Sequence, residues 1–226
     1  MIPTLIFSTV YPQDLHSRRS KMNTVHFLDT FRGQPYELKI VCGSAHKESA
    51  DEMNEVLGGG VHHFPLPEGS RYNSIRPHEI AYVKREVMRE ILKDDSVDYI
   101  YQVDSDVSLS FSHVARYLDI LASRPHKCAI KFPYSLRHRR IAPRGQFGVC
   151  LLTRRSLSEA VLSWIYSTEF RSGKLYRRMA PDCGLKRWLE KENNTEVMLA
   201  RDIYSVHWNE DGGWVYDKGK FPRELL

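Results

Sequence analysis

Two carboxylates one residue apart, Asp104 and Asp106, close an apolar and aromatic run in "YIYQVDSDVSLS", residues 99–110. At the end of a buried strand two such groups cannot both stay ionised without compensation. On a strand, residues i and i+2 point to the same side, so this pair would converge on one cation. Hard oxygen donors favour Mg²⁺ or Mn²⁺, and a bound polyphosphate completes the charge balance. The alternative use of Asp and Ser here is an ordinary turn.

The elements around this pair must hold it at a sheet edge. "TLIFSTVY" (4–11) is predicted as a strand of β-branched and aromatic residues. Met22, Val25, Leu28 and Phe31 recur at helical spacing over 17–32. "YELKIVCG" (36–43) is a second strand, "KESADEMNEVL" (47–57) a helix stopped by three glycines, and "VHHFPLP" (61–67) a third strand. A helix is predicted from Pro77 to about Lys93, with Ile80, Val83, Val87 and Ile91 as its buried stripe and Lys84 solvated. "VDYIYQV" (97–103) is the fourth strand. The alternation implies a mostly parallel sheet with helices on both faces. Ligands of such sheets bind beyond the carboxyl ends of the strands, where the two aspartates fall.

The second half is more mixed. It has a helix over 111–124, strands "CAIKF" (128–132) and "FGVCLLT" (147–153), and helices around 157–165 and 181–191. "EVMLA" and "IYSVHW" read as late strands. No repeat or linker interrupts residues 1–226, so one domain is expected, with a Rossmann-like half over 1–110 and a mixed half over 111–226.

An Asp-x-Asp pair ending the fourth strand of such a half resembles the nucleotide-sugar-dependent glycosyltransferases of the GT-A fold. The resemblance implies an α/β GT-A-like domain that transfers a sugar from a nucleotide-diphosphate donor, UDP favoured, to a glycan or glycoprotein hydroxyl. It implies that Thr9, Val10 and Tyr11 lie by the base and ribose, that Asp104 and Ser105 face the ribose or donor sugar, and that Asp106 binds Mn²⁺ or Mg²⁺ alongside Asp104. The acidic residue many members carry after the second strand is absent, since the chain reads "CGSAH" there. Asp182, after Pro181 at the start of a predicted helix, corresponds to the general base of inverting members, although the helix dipole alone would favour an acid there. His207 corresponds to a C-terminal metal ligand. Trp208, Trp214 and Tyr216 then stack on a sugar or close over the donor, or pack as core. A departing diphosphate needs cations, and Arg71 and Arg76 in "EGSRYNSIR" are the phosphate contacts expected, ahead of Asn73. His62 and His63 alternate on a strand and read as structural.

Two other classes fit parts of the sequence. "VDSDVSL" also resembles the haloacid-dehalogenase phosphatase signature, in which Asp104 would be the nucleophile and Asp106 the acid/base. That motif normally ends the first strand, and no later paired acidic motif follows. A net charge of +5 and a pI near 9.0 permit a nucleic-acid-binding module, but no recognition motif supports one and no nucleic-acid partner is expected. No run of apolar residues is long enough for a membrane span, and the first residues carry no basic leader, so a cytoplasmic protein with at most peripheral membrane contact is expected. The four cysteines are widely spaced and are expected to be free and buried. Oligomeric state is not legible.

Overall fold

The computed structural model describes residues 2–11, 13, 17–67, 75–108, 111–124, 126–132, 148–159, 162, 168–171, 174–177, 185, 189, 194–200, 206–208 and 214–215. Along the chain run β1 (Thr4–Ser8), α1 (Ser17–Phe31), β2 (Glu37–Ile40), β3 (Cys42–Ser44), α2 (Lys47–Leu57), β4 (Val61–His63), α3 (Ile75–Leu92), β5 (Tyr99–Val103) and β6 (Val107–Ser108). There follow α4 (Phe111–Ala122), β7 (Cys128–Lys131), β8 (Val149–Thr153), β9 (Thr168–Arg171), β10 (Lys174–Arg177), β11 (Glu196–Leu199), β12 (Val206–Trp208) and β13 (Trp214–Val215).

The central sheet has six strands in the order β11-β7-β8-β5-β1-β2. Neighbours are parallel except at β8, which runs antiparallel to both β5 and β7. The segment predicted as one strand over 36–43 is β2 and β3 together. Its ladder with the first strand continues past Ser8, through Val41 N–H to Phe7 O, Gly43 N–H to Thr9 O and Tyr11 N–H to Gly43 O. β4 then adds in parallel to β3.

Period-2 alternation sorts the strands onto two cores. Leu5, Phe7 and Tyr11 pack with Tyr101 and Val103 under α1 and α4, where Phe27, Phe31, Phe111 and Leu118 meet them. The Phe7–Phe27, Phe27–Tyr101 and Phe31–Phe111 ring centroids are 5.0, 4.8 and 4.7 Å apart, the spacing of favourable aromatic pairs. Ile6, Val10, Ile100 and Leu152 face the other way, onto Ala81, Val83, Val87 and Ile91 of α3. α3 connects parallel strands, so it runs against them, and its first turn lies at the carboxyl edge. Gly43 lets it come close: a Cβ there would stand 2.6 Å from Val87 Cγ2.

Helix α3 starts at Ile75, earlier than predicted, and keeps Pro77 in its first turn. The β9–β10 hairpin was not predicted. Most of the helices expected around 157–165 and 181–191 lies outside the described residues. No described helix is long and apolar enough to cross a membrane.

Cys42, Cys128 and Cys150 are free and buried, as expected, while Cys183 lies outside the described residues. Burial pushes the Cys42 thiol up to about 12 and the Cys128 thiol up to about 11. Thiolate is the reactive form. Native protein at about pH 8 should therefore leave both unlabelled by a thiol reagent and expose them on denaturation. Mass spectrometry showing labelled Cys42 in the native protein would contradict this burial.

Candidate active site at the carboxyl edge of the sheet

β5 delivers Asp104 to the carboxyl edge, but Asp104, Ser105 and Asp106 do not continue as strand. The Asp104 N–H donates to Gly148 O at 2.8 Å, and the Val107 N–H donates back to Asp104 O at 2.9 Å. The first bond extends the β5–β8 ladder by one residue and the second closes a turn, so the i, i+2 argument does not apply; the side-chain chemistry of Asp and Ser, which favours turns, prevails. All three residues are partly exposed.

Two helices hold this turn. From α3, Lys84 Nζ donates to Asp104 Oδ1 at 2.6 Å, with 5% of the Lys84 side chain and 27% of the Asp104 side chain exposed. The expectation of a solvated Lys84 is thus corrected. Lys84 lies four residues after Ile80 and three before Val87, on the margin of the buried stripe, and the stripe carries its ammonium to the strand end. From α1, buried Asn23 donates through Nδ2 to Ser105 O at 2.9 Å. Asn23→Ala should loosen the turn while leaving the aromatic core in place. About 1 kcal/mol of stability should be lost, readable as a modest fall in Tm, and an undiminished Tm would show that the bond contributes nothing.

The chain returns to this turn from far away. β6 pairs antiparallel with β12, which sets His207 opposite Val107, the residue after Asp106. Directly opposed residues of an antiparallel pair have Cα atoms roughly 4.5–5.5 Å apart. The backbone carrying the predicted third ligand therefore lies beside the predicted first two. Among the described residues no three His, Cys, Asp or Glu side chains form a metal cage, and the His207 side chain is not among those described. The donor set nevertheless suits a hard divalent cation, with partly exposed carboxylates on a turn at the sheet edge.

Thr9, Val10 and Tyr11 were expected beside a base and ribose. Their side chains are buried, at 2, 7 and 0% exposure. Tyr11 follows Leu5 and Phe7 in the strand alternation, so its ring enters the α1 core. There its hydroxyl meets Thr24 Oγ1 at 3.0 Å, and burial raises its pKa well above the ordinary phenol value. Arg76 is in the first turn of α3, at the expected edge; Arg71 and Asp182 lie outside the described residues. His62 and His63 are exposed on β4, and His63 Nε2 lies 3.2 Å from Ala45 O.

One polar chain escaped the sequence reading. Ser44 Oγ donates to Tyr11 O at 2.8 Å and accepts from the His46 N–H at 3.1 Å. His46 Nε2 is 2.8 Å from Oε1 of Glu79, a buried acid in α3. Glu79 lies four residues before Val83, so an acid on the apolar stripe was the available signal.

No protein-family model matches the chain, and no curated protein matches it. Solved structures match its fold. A glycosyltransferase involved in glycosylation of the major capsid of PBCV-1 is 13% identical, with a TM-score of 0.51 over 91% of this chain and 92% of that one. Glucosyl-3-phosphoglycerate synthase from Mycobacterium tuberculosis, solved with Mn²⁺ and UDP-glucose, is 10% identical, with a TM-score of 0.53 over 92% of this chain and 72% of that one. A 4-diphosphocytidyl-2C-methyl-D-erythritol synthase from Anaerococcus prevotii is 11% identical, with a TM-score of 0.50 over 89% of each chain. At such identities the likeness is one of fold. The chain has the GT-A-like fold of nucleotide-diphospho-sugar transferases, an α/β domain with a mostly parallel central sheet.

Proposed function

We propose that this chain is a metal-dependent glycosyltransferase that moves a sugar from a nucleotide-diphosphate donor, UDP favoured, to a hydroxyl of a glycan or glycoprotein. The observation that supports it best is the register of β12 on β6, which brings the His207 backbone beside the Asp104–Asp106 turn at the carboxyl edge of a GT-A-like sheet. In this reading Asp106 and His207, with Asp104 adjacent, hold Mn²⁺ or Mg²⁺. When bound, such an ion would supply positive charge to stabilise the departing diphosphate. Lys84 fixes the Asp104 carboxylate, leaving Asp104 and Ser105 to orient ribose or sugar. Arg71 and Arg76 add positive charge toward the phosphates. Asp182 takes the proton of the acceptor hydroxyl; its oxygen bonds to the anomeric carbon, and the bond to the diphosphate breaks with its electron pair leaving on the nucleotide. Attack from the opposite face inverts the anomeric centre.

The relatives in fold that carry glycosyl transfer in their names support this class, and one of them holds Mn²⁺ and UDP-glucose. The erythritol synthase shares the fold without that name, so the residues must choose. The phosphatase reading has lost its footing, because the aspartates follow β5 rather than a first strand. The test is release of nucleoside diphosphate from a panel of UDP-, GDP- and dTDP-sugars with Mn²⁺, followed by the anomeric configuration of the product. Turnover of one donor, with inversion and loss in Asp182→Asn, is expected. Retention would remove Asp182 from the base role, and no release from any donor would overturn the class.

A further inference from the structure

A small cavity lies between α1 and the ends of the first and fifth strands, with the Asp104–Ser105 turn as one wall. About 10 Å³ of it is open to the centre of a water molecule. Phe7, Phe27 and Val103 supply apolar lining, while Thr9, Thr24, Asn23 and Tyr101 supply polar groups. Thr9 and Tyr101 are 2 and 1% exposed, and neither Thr9 Oγ1 nor the Tyr101 hydroxyl has a hydrogen-bond partner among the described residues. A buried hydroxyl with no partner is destabilising, and native proteins rarely leave such groups unsatisfied. Two of them line one space.

The dimensions select the ligand. Space for the centre of a water molecule is space for a water, and a buried water makes two to four hydrogen bonds. An apolar cavity of this size would stay dry, but this one is lined by hydroxyls that donate and accept.

We propose that this chamber is a binding site for a single ordered water, held by the hydroxyls of Thr9 and Tyr101, beneath the turn that carries Asp104 and Asp106. The assignment explains why a threonine and a tyrosine occupy core-facing positions on neighbouring strands, where the register would accept valine and phenylalanine. It does not depend on the transferase reading, because no substrate enters its test.

The test is a high-resolution crystal structure of the wild-type chain, together with the thermal stability of Thr9→Val and Tyr101→Phe. The expected structure shows one well-ordered water within hydrogen-bond distance of both hydroxyls. Each variant should lower Tm by about 2–4 °C, as loss of a satisfied hydrogen bond does in a chain of this size. Absence of that water from the wild-type density would overturn the proposal. So would two variants as stable as the wild type or more so, since removal of an unsatisfied hydroxyl relieves a cost. The two substitutions act on different strands, so a packing fault at one does not remove the other as a test.

Discussion

On the proposed reading, Asp106→Asn should lower sugar transfer by roughly 10²–10³-fold at the Mn²⁺ concentration that just saturates the wild type, with little change in Tm. Losses of this order follow removal of one group that stabilises developing charge at a catalytic centre. Asparagine preserves the size and the turn propensity of aspartate, so the turn between β5 and β6 should persist. Asp106 is only partly buried, so its charge is not required to complete the core. What the substitution removes is the hard anionic donor, and neutral amide oxygen replaces it poorly. If Asp106 holds the metal as proposed, higher Mn²⁺ should recover part of the activity, because its loss would weaken metal affinity first. A variant within threefold of wild type would show that Asp106 does not carry the metal.

Lys84→Met should have the largest effect on stability. Lys84 is almost wholly buried, its ammonium 2.6 Å from Asp104 Oδ1. Methionine matches the stem in length and apolar character but removes the ammonium that pairs with Asp104. Breaking a buried pair in this way costs about 3–5 kcal/mol. The 27% exposure of Asp104 lets water compensate in part, which sets the expectation at about 3 kcal/mol, or roughly 6–12 °C of Tm. Adding Asp104→Asn to the same chain should restore at least half of that loss, because the charge that Lys84 balanced is then gone. If Lys84→Met unfolds within about 1 °C of wild type, the pair is energetically idle and the turn is held without it.

The strands and helices were legible where periodicity is local. "TLIFS" and "YIYQV" are apolar on both faces, as strands covered on both sides must be, and Val83, Val87 and Ile91 marked the buried face of α3. The same stripe held information that went unused. Glu79 and Lys84 both fall within its margins, and a charged residue on a buried face needs a partner. The parity of β1 likewise places Tyr11 in the core with Leu5 and Phe7, while its place by a nucleoside came only from the family resemblance. The turn at Asp104–Asp106 was less accessible, since an apolar run ending in Asp-x-Asp fits strand and turn alike. The β6–β12 pairing joins residues about a hundred positions apart, and such short partners carry no local signature. His207 was recognised only through its resemblance to a family position; the register on Val107 comes from the fold.

The most direct measurement of the central claim is a calorimetric titration of UDP into the purified chain, with Mn²⁺ and again with chelator. The account predicts binding with a Kd in the micromolar range, about −8 kcal/mol, that requires the metal and disappears in Asp106→Ala. Binding that is indifferent to metal, or no binding of UDP or GDP with Mn²⁺ present, would contradict it.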